Sequence, residues 1–235
     1  MSLRIVKELS RLKSIFYQKV SENNKLEKNF IIDHFHKLYY ESYENTWLNT
    51  FWFGLQTSKC PLDLWIYQEI IFEIKPDIII ESGTFKGGST LFLASILDLL
   101  NNGQIISIDI EKMESRPNHN RVTYLLGSST SKEIMENVQR LIVNKNRIMV
   151  ILDSDHKKEH VLIELRIYSQ FVTKGSYIIV EDTNINSHPV FPEFGPGPME
   201  AVKDFLEENK DFVIDKSREK FYLTFNPDGF LKRVR

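Results

Sequence analysis

The sequence predicts a doubly wound α/β fold built on a mostly parallel sheet. Between residues 77 and 182, short β-branched runs alternate with helical stretches, a pattern typical of a sheet with helices on both faces. The apolar runs are continuous rather than alternating, as expected of strands that are buried on both faces. A chain of 235 residues can bury enough surface to fold around such a sheet without disulfides or a structural metal.

The predicted elements follow in order from residue 61. Pro61 opens a helical run, because proline is favoured in the first turn of a helix. The strands expected after it cover residues 77–81, 104–109, 122–125, 147–153 and 176–181. The helices expected between and after them cover residues 88–100, 129–142, 157–172 and 199–208. Segments 212–215 and 220–225 are predicted to form a closing pair of strands.

The N-terminal part has a different character. Residues 1–55 are predicted to form a helical, aromatic-rich extension, and residues 56–235 the main domain. Residues 2–20 carry apolar side chains at helical spacing among basic ones, so this helix either lies on a membrane surface or packs on its own domain or a neighbouring subunit. The aromatic residues between 27 and 55 favour a cap over the core or a contact between subunits, so we expect a homo-oligomer.

Composition excludes several classes of protein. Lys and Arg total 30 against 32 Asp and Glu, and this net charge of −2 lacks the basic excess of a nucleic-acid binder. The single cysteine, Cys60, excludes a disulfide framework and fits a reducing cytoplasm. The sequence has no apolar run near the ~20 residues that a membrane span needs, and its charged N-terminal region does not resemble a signal peptide. We therefore expect a cytoplasmic enzyme with no transmembrane segment and no nucleic-acid partner.

A glycine-rich loop between Gly83 and Gly88 follows the first predicted strand. In such sheets, ligands bind outside the carboxyl ends of the strands, near the switch point in strand order. Glu81 and Asp109 end the first two strands, where carboxylates can accept hydrogen bonds from the hydroxyls of a ribose. The loop has neither the Gly-Lys-Ser/Thr of a phosphate loop nor the Gly-x-Gly-x-x-Gly of a dinucleotide site. A plain glycine turn beside two solvated acids is the alternative.

Further acids end the fourth and fifth predicted strands, at the same edge of the sheet. Four carboxylates that converge there repel one another, so either their pKa values are raised or a cation lies between them. Oxygen ligands favour Mg²⁺, Mn²⁺ or Ca²⁺ over zinc. Asp155, Glu181 and Asp182 form one possible ligand set, and Asp153 could replace or join Asp155. Asp155 could instead cap the helix that follows it.

Six motifs in order resemble the cephalosporin hydroxylase/rhamnosyl O-methyltransferase family of class I S-adenosylmethionine-dependent methyltransferases. They are residues 60–69, the glycine loop, and residues 152–160, 175–182, 197–202 and 226–231. The resemblance covers about residues 46–235. It implies a seven-stranded, Rossmann-like methyltransferase sheet, S-adenosylmethionine and Mg²⁺ or another divalent cation as cofactors, and a hydroxyl of a sugar, a glycolipid or polysaccharide precursor, or a natural product as the methyl acceptor.

The resemblance also implies roles for individual residues. It assigns the metal to Asp155, Glu181 and Asp182, whereas more distant sugar and catechol O-methyltransferases suggest Asp153 as the first ligand. The residues assigned to the cofactor are Glu81, Gly83, Thr84, Phe85, Gly88, Ser89, Asp109, Gly127, Ser128 and Asp153.

His156 is the best candidate for the base, because the pKa of histidine lies near the working pH, and Asp153 is second. His160, one helical turn beyond His156, is expected to play a supporting part. The loop at residues 188–199 is expected to close over the acceptor. Two other functions remain open at this point. One is a hydroxylase, although its iron would want two histidines and a carboxylate on one face, and the other is a catalytically silent scaffold.

Overall fold

The computed structural model describes residues 24–235. A helix, α1, covers residues 24–41, and two short 3₁₀ turns lead to a small hairpin. The remaining helices are α2 (Pro61–Ile74), α3 (Gly88–Leu100), α4 (Lys132–Leu141), α5 (Lys158–Tyr168) and α6 (Pro198–Glu208). The strands are β1 (Phe51–Trp52), β2 (Leu55–Gln56), β3 (Ile78–Ser82), β4 (Gln104–Asp109), β5 (Val122–Leu126), β6 (Ile148–Leu152), β7 (Tyr177–Val180), β8 (Phe212–Ile214) and β9 (Phe230–Arg233).

Seven of the strands form one sheet in the order β5-β4-β3-β6-β7-β9-β8. Strands β3 to β7 are parallel, and β9 runs antiparallel to both of its neighbours. The chain runs outward from β3 to β5 and then crosses back to β6, so the switch point lies between β3 and β6. The predicted doubly wound, mostly parallel sheet is confirmed.

Apolar residues on both faces of the sheet hold the helices in place. All residues of β3 and β6 are buried, which explains their continuous runs of Ile, Val and Leu. One apolar cluster packs α2 and α3 on one face, and includes Tyr67 and Leu97. The other packs α4, α5 and α6 on the opposite face, and includes Leu165 and Phe205. The helices therefore cover both faces, as a parallel sheet requires.

Strand register brings the functional candidates into one row. Ser82 of β3 pairs with Ile108 of β4 and with Leu152 of β6, and Leu152 pairs in turn with Val180 of β7. The residues that follow these four in the chain are Gly83, Asp109, Asp153 and Glu181. Because they all leave the sheet at its carboxyl edge, four segments remote in sequence meet there.

The predicted strand at residues 220–225 is wrong. This segment turns at Tyr222, whose φ of 67° lies in the left-handed region, and Leu223 and Phe225 then bury their side chains. Their neighbours are the aromatic side chains of Tyr39, Tyr40 and Trp47. The segment therefore packs under the N-terminal aromatic residues, and β9 takes the expected place in the sheet.

The N-terminal predictions can be followed only in part. Residues 2–20 lie outside the described residues. The division at residue 55 stays a prediction, although residues 39–47 pack on Phe225 as a cap would. Within residues 24–235, no helix has both the length and the apolar character needed to cross a membrane.

Candidate functional site

The glycine loop fits only glycine at its two ends. Gly83 has a φ of 87°, and a Cβ there would lie 1.9 Å from the carbonyl oxygen of Asp153. A Cβ on Gly88 would lie 2.2 Å from the carbonyl oxygen of Gln56. The loop thus lies against the β6 end on one side and the β2 hairpin on the other, because its glycines have no side chains.

Glu81 lies behind this loop rather than in a cavity. Its buried carboxylate accepts hydrogen bonds from the hydroxyls of Ser89 at 2.7 Å, Thr90 at 2.5 Å and Ser107 at 2.7 Å. Burial raises the pKa of Glu81, and the three hydroxyls oppose that shift. The bonds tie the end of β3 to the first turn of α3 and to β4, so Glu81 holds the loop in shape.

A first cavity of about 490 Å³ opens beside the loop. Of the residues predicted to bind the cofactor, six line it: Gly83, Phe85, Asp109, Gly127, Ser128 and Asp153. Thr84, Gly88 and Ser89 line a second cavity instead. Cofactor-sized sites in proteins have volumes of roughly 300–1,000 Å³, so the first cavity has the size of one.

Asp109 projects into the first cavity with several partners already in place. One oxygen accepts the backbone N–H of Phe85 and contacts the guanidinium of Arg116, at 2.8 and 2.9 Å, and the other accepts the N–H of Glu111 at 2.8 Å. A carboxylate offers about four acceptor sites, so Asp109 retains capacity for a ligand hydroxyl. Arg116 also donates to the carbonyl oxygen of Phe85 at 2.7 Å, so it connects the loop that contains residue 116 to the glycine loop.

The second cavity, of about 370 Å³, adjoins the first. Gly83, Phe85, Asp153 and Ser154 line both cavities. The walls of the second are aromatic, whereas Asp153, His156 and Asp182 give it a polar side. Besides Phe85, the aromatic residues are Tyr40 and Trp47 from the N-terminal part, and Phe191 and Phe194 from the loop after β7.

Three groups at this polar side have the spacing of metal ligands. One potential ligand atom from each of Asp153, His156 and Asp182 lies within 4.8 Å of the others, and the Nε2 atom of His156 is 3.3 Å from an Oδ atom of Asp182. Burial raises the pKa values of Asp153 and Asp182, against the attraction of neighbouring positive groups. Asp182 has a φ of 55°, and its N–H donates to the Oδ1 atom of Asn226 at 3.1 Å. The Asn226 turn thus supports an uncommon backbone conformation at the site.

Glu181 and Asp155 have other surroundings. Glu181 is buried, its Oε2 atom lies 2.6 Å from the Nζ atom of Lys59, and its Oε1 atom forms no hydrogen bond with any of residues 24–235. Burial raises the pKa of Glu181 to about 7, and Lys59 opposes the shift. Asp155 is exposed and accepts the N–H of Lys157 at 2.9 Å, next to the start of α5. This contact is a local turn before α5 and does not cap the helix, whose N-cap residue is Lys157 and receives no side-chain cap. Of the two aspartates, Asp153 is the one that lies in the cluster.

His160 lies beside the first cavity rather than in the carboxylate cluster. Its Nε2 atom is 3.3 Å from the hydroxyl of Ser129 and 3.6 Å from a carboxylate oxygen of Glu164. The interaction with Glu164 raises the pKa of His160, although burial acts in the opposite direction. A supporting part for His160 stays a prediction.

Sequence reasoning missed Lys59 and Arg116. The sequence places only Lys157 and Lys158 close to the acids, but Lys157 is exposed and Lys158 pairs with Asp204 at 2.7 Å. Lys59 reaches the cluster from the residues that precede α2, and no spacing or periodicity signals such a contact. The one signal in the sequence is that Lys59 directly precedes Cys60 and Pro61, which begin the first of the six motifs.

The sheet order, the glycine loop and the adjoining cavities together define a class I, Rossmann-like methyltransferase. The chain belongs to the rhamnosyl O-methyltransferase/CmcI family, whose model matches residues 44–234. It is 38% identical to rhamnosyl O-methyltransferases of Mycobacterium leprae, over 86% of this chain and 90% of that protein, and of Mycobacterium bovis, over 86% and 85%. The predicted resemblance is confirmed, and with it the class of enzyme.

Solved structures of similar fold are more distant in sequence. CmcI with Mg and SAM is 19% identical with a TM-score of 0.63, over 80% of this chain and 78% of that one. The MycE methyltransferase from the mycinamycin biosynthetic pathway, in complex with Mg, SAH and mycinamycin VI, is 17% identical with a TM-score of 0.55, over 72% of this chain and 48% of that one. Both similarities support the methyltransferase fold.

Proposed function

We propose that this protein is an S-adenosylmethionine-dependent O-methyltransferase that needs a divalent cation and acts on a hydroxyl of a sugar or a sugar-bearing molecule. The observation that carries the proposal is the arrangement of the two cavities, which meet at Asp153. The first offers a carboxylate and backbone groups to a nucleoside, and the second places a carboxylate–histidine cluster beside an acceptor. The names of the relatives, rhamnosyl O-methyltransferases, favour a sugar hydroxyl as the acceptor. We propose that this sugar belongs to a glycolipid or polysaccharide precursor.

The residues present fit a divalent cation. The cluster supplies carboxylate oxygens and one imidazole nitrogen within a few ångströms, and the buried Oε1 atom of Glu181 has no hydrogen-bond partner in the described part of the chain. We propose Asp153, Glu181 and Asp182 as the ligands, which changes the first member of the predicted set. Asp155 is left out because it is exposed and accepts the N–H of Lys157.

The residues present also fit S-adenosylmethionine. Asp109 would accept a ribose hydroxyl, Gly83 would let the backbone approach the methionine part, and Gly127 and Ser128 would flank the adenine. Phe85, Thr84, Gly88 and Ser89 shape the loop between the two cavities, and Glu81 fixes that loop from behind.

Side chains of this chain would then carry out the proton transfer. When bound, S-adenosylmethionine supplies the methyl group and a divalent cation supplies Lewis acidity toward the acceptor hydroxyl. His156 lines the second cavity, and its Nε2 atom would accept the proton of that hydroxyl. The carboxylate of Asp182, 3.3 Å from the Nε2 atom, would stabilise the imidazolium that forms. Asp153 remains the second candidate for this base. The aromatic walls would exclude water and orient the acceptor.

The alternatives are less well supported. The cluster contains one histidine and two carboxylates, whereas oxygen activation on non-haem iron is typical of two histidines and one carboxylate. A silent scaffold does not explain why buried acids converge at a cavity, since an unused cluster of this kind only reduces stability.

A direct assay tests the proposed function. Radiolabelled S-adenosylmethionine, Mg²⁺ and a panel of rhamnosides, nucleotide-linked sugars, glycolipid precursors and small phenols are incubated with the protein. We expect methyl transfer to a sugar hydroxyl, and calorimetry should show binding of S-adenosylmethionine and its demethylated product. Failure to bind either compound would contradict the proposal and favour a scaffold.

We also propose that α1 forms a contact between copies of this chain. Leu26, Phe30, Ile31, Phe35 and Leu38 are 52–68% exposed in the described part of the chain. Contiguous apolar patches of this kind mark interaction surfaces. Light scattering should show a homo-oligomer that the double substitution Phe30→Glu, Leu38→Glu dissociates, and a monomeric parent protein would contradict this proposal.

A further inference from the structure

Lys59 is a buried lysine between two acids of the candidate metal site. The residue is only 7% exposed, and its Nζ atom contacts Asp153 as well as Glu181, the latter at 2.6 Å. Its backbone is held too, because the hydroxyl of Thr50 accepts a hydrogen bond from the N–H of Lys59 at 3.2 Å. The ammonium group is therefore held in place by side chain and backbone together.

Burial of a charged lysine is unfavourable unless opposite charges compensate it. Here two carboxylates, those of Asp153 and Glu181, contact the Nζ atom and supply that compensation. The contacts are those of a protonated ammonium group, so Lys59 carries a positive charge in the folded protein.

This charge changes the electrostatic balance of the site. Asp153, Glu181 and Asp182 carry up to three negative charges when ionised, and the positive charge of Lys59 reduces the sum to two. Within residues 24–235, no other lysine or arginine forms an ion pair with these acids. The remaining charge is the one that a divalent cation would neutralise.

The contacts leave room for the ammonium group of Lys59 and for a divalent metal ion at the same time. Lys59 contacts the Oδ2 atom of Asp153 and the Oε2 atom of Glu181, whereas the buried Oε1 atom of Glu181 accepts no hydrogen bond from the residues that the structure describes. Lys59 can thus hold the two carboxylates side by side while other oxygen atoms stay free for a ligand.

We propose that Lys59 is a positioning residue that holds Asp153 and Glu181 together before the cation binds and sets the charge of the site to favour a divalent ion. The proposal rests on the metal site described under the proposed function. It goes beyond that site because it assigns a role to a residue that would not contact the metal, the cofactor or the acceptor.

Charge selectivity separates this role from a merely structural one. Loss of a positive charge near the site strengthens the binding of a trivalent ion more than that of a divalent ion, because the Coulomb energy scales with ionic charge. Loss of positional order weakens the binding of both ions alike. The ratio of the dissociation constants for Mn²⁺ and Tb³⁺ therefore reports the charge alone.

The experiment measures this ratio by calorimetry on the full chain and on three variants. In Lys59→Met we expect the ratio Kd(Mn²⁺)/Kd(Tb³⁺) to rise at least about tenfold. In Lys59→Arg, which keeps the charge, and in the matched control Lys158→Met, whose lysine pairs with Asp204 instead, the ratio should stay within about twofold of the parent value. Without added metal, Lys59→Met should also melt at a lower temperature than Lys158→Met.

The outcomes distinguish the two proposals. Binding of Mn²⁺ by the parent chain with an unchanged ratio in Lys59→Met would overturn the role of Lys59 alone. Absence of any Mn²⁺ binding by the parent chain would overturn the metal site, and this inference with it. If Lys59→Met does not fold, the same ratio measured on Lys59→Gln decides the question, because that variant also removes the charge but keeps a polar side chain.

Discussion

The assignment of Asp109 to the cofactor ribose gives a prediction whose magnitude follows from its contacts. In Asp109→Ala the carboxylate is lost, together with its bonds to the backbone N–H groups of Phe85 and Glu111 and its ion pair with Arg116. Hydrogen bonds to a charged group contribute about 1.5–3 kcal/mol. We therefore expect the affinity for S-adenosylmethionine to fall by about 10- to 150-fold.

Two further variants make the test specific. Asp98→Ala is the matched control, since Asp98 is an aspartate that pairs with Arg121 and His119 and does not line either cavity. Arg116→Ala removes the ion pair but leaves the Asp109 carboxylate for the ligand, so it should weaken binding much less than Asp109→Ala. Calorimetry gives the three dissociation constants. An Asp109→Ala protein that binds the cofactor as tightly as the parent would refute the ribose assignment.

Three other predictions concern the loop, the core and the lid. Gly83→Ala should lower the melting temperature and abolish cofactor binding, because its Cβ would overlap the carbonyl oxygen of Asp153; a variant with normal stability and affinity would show that the loop can move freely. Burial raises the pKa of Asp63 from 3.8 to about 7, so the folded state binds a proton that the unfolded state releases and this group's contribution to stability decreases as the pH rises from about 4 to 7. Asp63→Asn, which keeps an acceptor for the N–H of Phe225, should remove about 2.5 kcal/mol of that decrease between pH 5 and pH 8, because the range from pH 5 to about 7 spans about two pH units at about 1.4 kcal/mol each. Denaturant titrations at the two pH values measure the effect, and an equal loss of unfolding free energy in both proteins would contradict the shift. Residues 188–199, which contribute Phe191 and Phe194 to the second cavity, should gain protection from hydrogen exchange when cofactor, Mg²⁺ and acceptor are all present, and no gain would count against a lid.

The sequence was sufficient to predict the central sheet because its strands are continuous apolar runs. Strands β3 to β7 appear within two residues of their predicted bounds, and the register then places Gly83, Asp109, Asp153 and Glu181 at one edge. The rule that ligands bind at the carboxyl ends of parallel strands requires only the order of elements, which the sequence contains.

The errors have a different physical origin. Residues 220–225 have the composition of a strand, yet the burial of Phe225 under Tyr40 and Trp47 decides their conformation. Such packing depends on the N-terminal residues, far away in the chain.

The first ligand of the proposed metal site stays a prediction. The resemblance assigned it to Asp155, with Asp153 able to replace or join it, and the surroundings of the two side chains lead us to propose Asp153 instead. Asp155 accepts the N–H of Lys157. Lys59, which precedes α2 in the chain, contacts Asp153 and Glu181. Neither contact leaves a periodic signal in the sequence.

The dependence of methyl transfer on a divalent cation tests the central claim most directly. Methyl transfer from S-adenosylmethionine to an accepted sugar is measured after treatment with a strong chelator and confirmation that no metal remains, and again after Mg²⁺ is restored. We expect the chelated protein to lose activity and Mg²⁺ to restore it. In Asp182→Asn and Glu181→Gln we expect turnover to fall and to lose its response to Mg²⁺, while the affinity for S-adenosylmethionine changes little, because the cluster acts on the acceptor. Full activity of the metal-free parent protein would contradict the account and leave the proton transfer to His156 or Asp153 alone.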